Sequence, residues 1–128
     1  MRIRNANERG VAKLAHRPKI TALIHCSGGG QTKCLKFAYD THIIKDNLFD
    51  PPPIFTAIET ASRTPQNEMY QVFNMGHRME VYTDAATADA VIAIADSYGI
   101  PAKIIGRTEP AEANRLTLIT PSGETIVY

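Results

Sequence analysis

Short apolar runs separated by glycine, proline and polar residues predict strands that alternate with helices. Three strands are expected in the first two thirds of the chain: Lys19 to Cys26, His42 to Asp46 and His77 to Thr83. Because sequential strands usually lie side by side, we expect the first two to pair. In the third strand, alternation places Met79 and Val81 on one face and Arg78 and Glu80 on the other.

Helix signals lie before and between these strands. Apolar positions within residues 2–16 are compatible with a helix, but Gly10 interrupts them, so we expect only a frayed helix there. After the first strand, a short helix over Gln31 to Ala38 is expected to be anchored by Leu35 and Phe37.

Two further helices are expected after the second strand. The prolines at 51–53 set φ for a helix start and predict a helix that ends near Ser62. Thr64 is expected to cap the next helix, Pro65 to Phe73, with Pro65 in its first position. The buried face of that helix should contain Met69, Val72 and Phe73.

The last third of the chain completes the predicted fold. Asp84 is expected to cap a helix that Gly99 ends, and its apolar stripe should be Ala88, Val91, Ile92, Ala95 and Tyr98. A strand over Pro101 to Arg107 should precede a hairpin of Arg115 to Thr120 and Glu124 to Tyr128. This order predicts an α/β (α+β) layered sandwich with a mixed β-sheet and helices, formed by residues 1–128 as a single domain.

The composition of the chain argues against several classes of function. With 14 basic and 13 acidic residues and a formal charge of +1, the chain lacks the charge excess typical of nucleic-acid or membrane-surface binding. No run approaches the roughly 20 apolar residues that cross a bilayer. Cys26 and Cys34 match neither a redox nor a zinc spacing. We therefore expect a cytoplasmic protein with free thiols that binds neither nucleic acid nor membrane.

The stretch Ile20 to Gln31, ITALIHCSGGGQ, carries the candidate chemistry. An apolar strand ends in Gly28, Gly29 and Gly30, which let the backbone bend sharply and approach a ligand closely. Their successive N–H groups can form a nest for a phosphate, with Ser27 offering a hydroxyl. A tight turn from strand to helix is the alternative.

His25, at the end of that strand, has two interpretations. An imidazole titrates near neutral pH and can act as a general acid or base. The alternative is a hydrogen-bonded core histidine. Cys26 alternates with His25 along the strand and is expected to point into the core.

A second polar turn, with Asn74 and Gly76, precedes the third strand and is either a site or a plain helix end. Glu68 and Glu80 show no spacing for carboxylate chemistry and are expected to be solvated. No metal site is predicted, because the separations match no compact zinc pattern among His25, Cys26, Cys34 and His77.

Four segments, taken together, resemble one family. They are LIHCSGGGQT (Leu23 to Thr32), PPPIFTAI (Pro51 to Ile58), EMYQVFNMGHRMEVY (Glu68 to Tyr82) and AKIIGRTE (Ala102 to Glu109). Their order and spacing are similar to those of the C-terminal domain of phosphoribosylformylglycinamidine cyclo-ligase, also called aminoimidazole ribonucleotide (AIR) synthetase. HCSGGGQTKCLKF and FNMGHRMEVY look most like the variant of Bacteroides-type bacteria.

The resemblance implies an ATP-dependent ring closure in purine biosynthesis. The amide oxygen of formylglycinamidine ribonucleotide is phosphorylated, and an amine then displaces phosphate to give AIR, ADP and phosphate. It implies His25 as the catalytic residue that manages protons. It implies a substrate and phosphate site formed by Ser27, Gly28, Gly29, Gly30, Asn74 and Gly76.

The resemblance also implies cofactors and partners. ATP and Mg²⁺ are expected to bind mainly to the family's N-terminal half, which has no counterpart in these residues. We expect that half as a partner, in the same protein or a separate chain, together with a small ribonucleotide substrate. The surface it leaves should be apolar and favour a homo-oligomer or a second subunit. The alternative is a non-catalytic module that keeps the fold and binds a phosphate or a partner.

Overall fold

The computed structural model describes residues 19–128, which form six strands, three α-helices and one 3-10 helix. The strands are β1 (Ile20–His25), β2 (Thr41–Lys45), β3 (Met79–Thr83), β4 (Gly106–Pro110), β5 (Arg115–Ile119) and β6 (Thr125–Val127). The 3-10 helix spans Gly30–Lys36, and the α-helices are α1 (Pro53–Ser62), α2 (Gln66–Val72) and α3 (Ala85–Ser97). The helix predicted over residues 2–16 lies outside the described residues.

The larger sheet is mixed, as predicted, and has the strand order β4-β2-β5-β6. Its strand β2 is antiparallel to β4 and parallel to β5, while β5 and β6 form the predicted hairpin. The prediction that β2 pairs with β1 is wrong: both edges of β2 are occupied, and β1 pairs with β3 in a two-stranded sheet. The α/β fold class with a mixed sheet is confirmed.

The described residues divide into two compact units. One is formed by residues 19–23 and 81–104, and the other by residues 24–80 and 105–128. The second unit contains the larger sheet, and its apolar core includes Ile43, Leu48, Met69, Leu116, Leu118 and Ile126. The organisation of residues 1–128 as a single domain remains a prediction. Within residues 19–128, no helix combines the length and apolar character needed to cross a bilayer.

Helix α3, in the first unit, begins and ends as its sequence predicts. Asp84 Oδ1 accepts a hydrogen bond from the N–H of Thr87 at 2.8 Å and so caps the first turn. Gly99 adopts a φ of 69° just past the helix end. Tyr98 is wrong as a member of the apolar stripe, because it is the C-cap, leaves the helical conformation and is exposed.

Two predicted apolar anchors of the second unit are wrong. Phe37 lies past the end of the 3-10 helix and is 65% exposed, whereas Gln31 and Cys34 share the buried face of that helix. In α2, Met69 is buried as predicted, together with Tyr70. Val72 lies about 200° around the helix from Tyr70 and therefore points outward.

Two predicted boundaries are shifted. The strand expected over Pro101 to Arg107 is β4, which begins only at Gly106, opposite Lys45. A Cβ at Gly106 would lie 1.9 Å from the carbonyl oxygen of Ile44, so pairing begins where glycine allows close approach. Helix α2 begins at Gln66, with Pro65 rather than Thr64 as its N-cap.

Gly106→Ala is expected to destabilise the protein by about 3 kcal/mol, because the added methyl group overlaps the β2 backbone. Gly123→Ala is the matched control. Its φ is 90°, but no atom of the described residues lies within 4 Å of the added Cβ, so only backbone strain of about 1 kcal/mol is expected. Urea denaturation measures both changes, and equal losses would contradict the close approach at Gly106.

Candidate functional site

The glycine turn has a backbone that only glycine adopts readily. Gly28, Gly29 and Gly30 all have positive φ, at 61°, 127° and 49°. Space is a second constraint at Gly30, where a Cβ would lie 2.3 Å from the carbonyl oxygen of Phe73 and 2.8 Å from that of Tyr70. The end of α2 therefore packs directly against the turn.

The backbone of the turn offers hydrogen-bond donors. Among residues 19–128, no acceptor is paired with the backbone N–H groups of Gly28, Gly29 and Gly30. The Lys33 ammonium group lies beside them, donating to the carbonyl oxygen of Ser27 at 3.1 Å and, less closely, to that of Gly28 at 3.5 Å. These N–H groups and this positive charge are suited to an anion.

Sequence reasoning missed Lys33. The signal available was its position three residues after Gly30, one turn into the predicted short helix. In a 3-10 helix, residues three apart share a face, so a lysine at this spacing can reach back to the turn.

His25 and Ser27 flank the buried Cys26. Both are exposed, and Ser27 Oγ lies 3.1 Å from His25 Nδ1, within hydrogen-bond distance. His25 is therefore not a core histidine, and its ring is accessible to a ligand. The residue between them points into the core, as the strand alternation predicted.

The second turn lies next to the first. Asn74 Oδ1 accepts from the N–H of Gly76 at 2.9 Å, and Met75 and Gly76 both have positive φ. The carbonyl oxygen of Asn74 accepts from Gln31 Nε2 at 2.7 Å and from the N–H of His77 at 2.9 Å. The structure therefore brings the two sequence-predicted turns together through Gln31.

An ion pair lies beneath both turns. Lys45 Nζ and Glu80 Oε1 are 2.5 Å apart, and the two residues are only 2% and 5% exposed. Lys45 Nζ also donates to Gln31 at two places, the carbonyl oxygen at 2.9 Å and Oε1 at 3.0 Å. The prediction that Glu80 is solvated is wrong, because β3 turns Glu80 inward and leaves Met79 exposed.

Cys26 belongs to this buried cluster. Its thiol donates to Glu80 Oε1 at 3.3 Å. Burial, and then the nearby Glu80 carboxylate, raises the pKa of the Cys26 thiol to about 12, so the sulfur is protonated at neutral pH.

His77 is the buried histidine that the sequence left unassigned. Its Nε2 accepts from the N–H of Phe49 at 3.1 Å, and the two rings lie 5.3 Å apart. His77 therefore supports the chain after β2. Within the described part of the chain, no three His, Cys, Asp or Glu side chains are grouped as metal ligands.

The fold and this site define a class of protein: an α/β domain whose glycine turn presents backbone donors, an imidazole and an ammonium group. Comparison with known proteins identifies the family. The family described as AIR synthase related protein, C-terminal domain, matches residues 6–119, and the chain belongs to this family.

Several enzymes named phosphoribosylformylglycinamidine cyclo-ligase are similar to the chain. The protein of Methanocaldococcus jannaschii is 38% identical over 89 residues, covering 70% of this chain and 25% of that relative. The protein of Methanococcus vannielii is 33% identical over 99 residues, covering 77% and 28%. The protein of Trichlorobacter lovleyi is 30% identical over 110 residues, covering 84% and 32%. The chain thus spans between 25% and 32% of the length of these curated relatives.

The alkylation rate of Cys26 tests whether its thiol is buried and protonated. In Cys34→Ala, Cys26 is the only cysteine left in the chain. A pKa of about 12 leaves about a thousandfold less thiolate at pH 8 than in an unperturbed thiol. Alkylation by iodoacetamide should therefore be at least about a hundredfold slower in the folded protein than in urea. Equal rates, measured by mass spectrometry, would contradict the buried, protonated thiol.

Proposed function

We propose that the chain is the C-terminal domain of a phosphoribosylformylglycinamidine cyclo-ligase, the ATP-dependent enzyme that forms aminoimidazole ribonucleotide from formylglycinamidine ribonucleotide. The observation that carries the proposal is the glycine turn between His25 and Lys33, with three N–H donors that no acceptor in residues 19–128 uses. Membership of the AIR synthase related C-terminal family and the names of the similar enzymes support it.

The turn would bind phosphate. The N–H groups of Gly28, Gly29 and Gly30 offer donors to phosphate oxygens, and the Ser27 hydroxyl is exposed beside them. Lys33 already holds its ammonium group at the turn, so its positive charge needs little reorganisation to face an anion. Asn74 and Gly76 would complete this site from the adjacent turn.

His25 would manage protons during ring closure. The attacking amine loses a proton and the displaced phosphate leaves as an anion, so an exposed imidazole near the phosphate can take up that proton and pass it to the leaving phosphate. The Ser27 hydroxyl, 3.1 Å from Nδ1, holds one ring nitrogen and leaves Nε2 to face the substrate.

ATP and Mg²⁺ are assigned to another part of the enzyme. Residues 19–128 contain no group of three His, Cys, Asp or Glu side chains fit to hold a metal ion. We assign both groups to the region of the longer relatives that this chain does not match.

That region would also be the chain's partner. Several large apolar side chains lie exposed in the second unit, among them Phe37, Ile54, Val72 and Met79. Exposed apolar surface of this kind favours a covering partner or self-association as a homo-oligomer. We further propose a cytoplasmic enzyme of the Bacteroides-type variant, which HCSGGGQTKCLKF and FNMGHRMEVY support.

Phosphate binding can be tested with two lysines of the same short helix. Lys33→Met should weaken binding of inorganic phosphate about tenfold, because it removes the charge beside the turn. Lys36→Met is the matched control, since Lys36 is exposed and makes no contact with the turn among the described residues. NMR titration of the Gly28–Gly30 amides measures both, and an equal effect of the two variants would contradict a phosphate site at the turn.

Catalysis can be tested by reconstitution. The chain alone should form no product from formylglycinamidine ribonucleotide and ATP, whereas adding the N-terminal region of a relative should restore activity and form a complex seen by light scattering. In that complex, His25→Ala should lower kcat by about a hundredfold or more. His42→Gln serves as the histidine control, since His42 bonds Thr117 on β5. Full activity without the added region, or none with it, would overturn the proposal.

A further inference from the structure

Both turns of the candidate site depend on one side chain that neither sequence motif explains. Gln31 follows the glycines directly, is completely buried, and belongs to the same hydrogen-bonded cluster as Lys45 and Asn74. We propose that Gln31, held by the buried Lys45, is a positioning residue that fixes the glycine turn and the Asn74–Gly76 turn relative to each other. The inference rests on the proposed function in taking these turns as one phosphate and substrate site.

The ammonium group of Lys45, which holds Gln31, has an acceptor for each of its donors. An ammonium group has three N–H donors and no acceptor. Lys45 Nζ has three acceptors around it: Glu80 Oε1 at 2.5 Å, the Gln31 carbonyl oxygen at 2.9 Å and Gln31 Oε1 at 3.0 Å. Two of these belong to Gln31, so both its backbone and its side chain are held by one buried charge.

The chemistry of the neighbours fixes the orientation of the Gln31 amide. Lys45 can only donate, so the amide atom facing it is the oxygen, and the Asn74 carbonyl can only accept, so the atom facing it is the nitrogen. A flipped amide would place donor against donor and acceptor against acceptor, with no solvent present to compensate. The Gln31 amide therefore has a single orientation.

The residues at both ends of the Gln31–Asn74 hydrogen bond continue into a turn. On one side, the N–H of Thr32, the next residue, donates to the Gly29 carbonyl oxygen at 3.0 Å and closes the glycine turn. On the other side, Asn74 Oδ1 holds the N–H of Gly76 at 2.9 Å. A ligand that touches both turns meets a surface already ordered, which lowers the entropy lost on binding.

The two hydrogen-bonded amides are reporters of this coupling. In the full chain, Gln31→Met keeps the approximate size of the side chain but removes both amide contacts. Amide hydrogen exchange at Thr32 and at Gly76 should accelerate together, by about tenfold. The amide of Gly123, which donates to the Thr120 carbonyl oxygen in the β5–β6 turn, should be unchanged.

Gln71→Met is the matched control, because Gln71 is an exposed glutamine on α2. It should leave exchange at both reporters unchanged. Where the wild-type chain binds inorganic phosphate, Gln31→Met should also weaken that binding about tenfold and Gln71→Met should not. A role limited to general stability would instead accelerate exchange at Gly123 as well.

The outcomes separate the two proposals. If the wild-type chain does not bind phosphate, the proposed function fails, and the positioning role is judged by the exchange rates alone. If Gln31→Met does not fold, Gln31→Glu takes its place, since it keeps an acceptor for Lys45 but loses the donor to Asn74. Acceleration of Thr32 and Gly76 together supports the inference. Acceleration at neither reporter, or at one alone, overturns it.

Discussion

The buried contact between Lys45 and Glu80 is the interaction on which the second unit depends. Two opposite charges, each almost inaccessible to water, are stable there only because each neutralises the other and hydrogen bonds use the remaining donors. Removing one partner of such a pair typically destabilises a protein by about 3–5 kcal/mol, since the other charge is left buried alone. The pair therefore holds Lys45 of β2 against Glu80 of β3.

The residues of the candidate site are connected to this ion pair by hydrogen bonds. The ammonium group holds Gln31, Gln31 holds Asn74, and the glycine turn lies immediately before Gln31 in the chain. Glycine at position 30 is required twice, by its positive φ and by the closeness of the Phe73 carbonyl oxygen. The hydrogen bonds of Gln31 and the close packing at Gly30 hold the turn in place, and among residues 19–128 no acceptor is paired with its N–H groups, which suits them to a ligand.

Local signals in the sequence predicted most elements, because caps, prolines and glycines act over a few residues. The Asp84 cap, the proline-led start of α1 and the β5–β6 turn depend on such short-range chemistry, and each lies where the sequence placed it. Sequence also marked both turns as candidate sites, though their chemical roles remain predictions.

Contacts between distant residues were not predictable in the same way. Glu80 alternates with Met79 in a strand, and the residue pattern favours the methionine as the buried one. Only the lysine 35 positions earlier reverses that choice, by supplying a buried opposite charge. The pairing of β2 with β4 and β5 likewise depends on residues more than 60 positions away. For the same reason, no local pattern identified Gln31 as the connection between the turns.

The ion pair also restricts the register of the central strand. Side chains alternate along β2, so a slip of one residue would turn Lys45 away from Glu80 and leave the buried carboxylate without its ammonium partner. Gly106 adds a steric limit on the other side, because only a residue without a Cβ can lie opposite Lys45 in β4. An apolar pair in place of Lys45 and Glu80 would tolerate more registers, since apolar contacts are not directional. The charges therefore select one register of β2, and this register sets the position of Gln31 and of both turns.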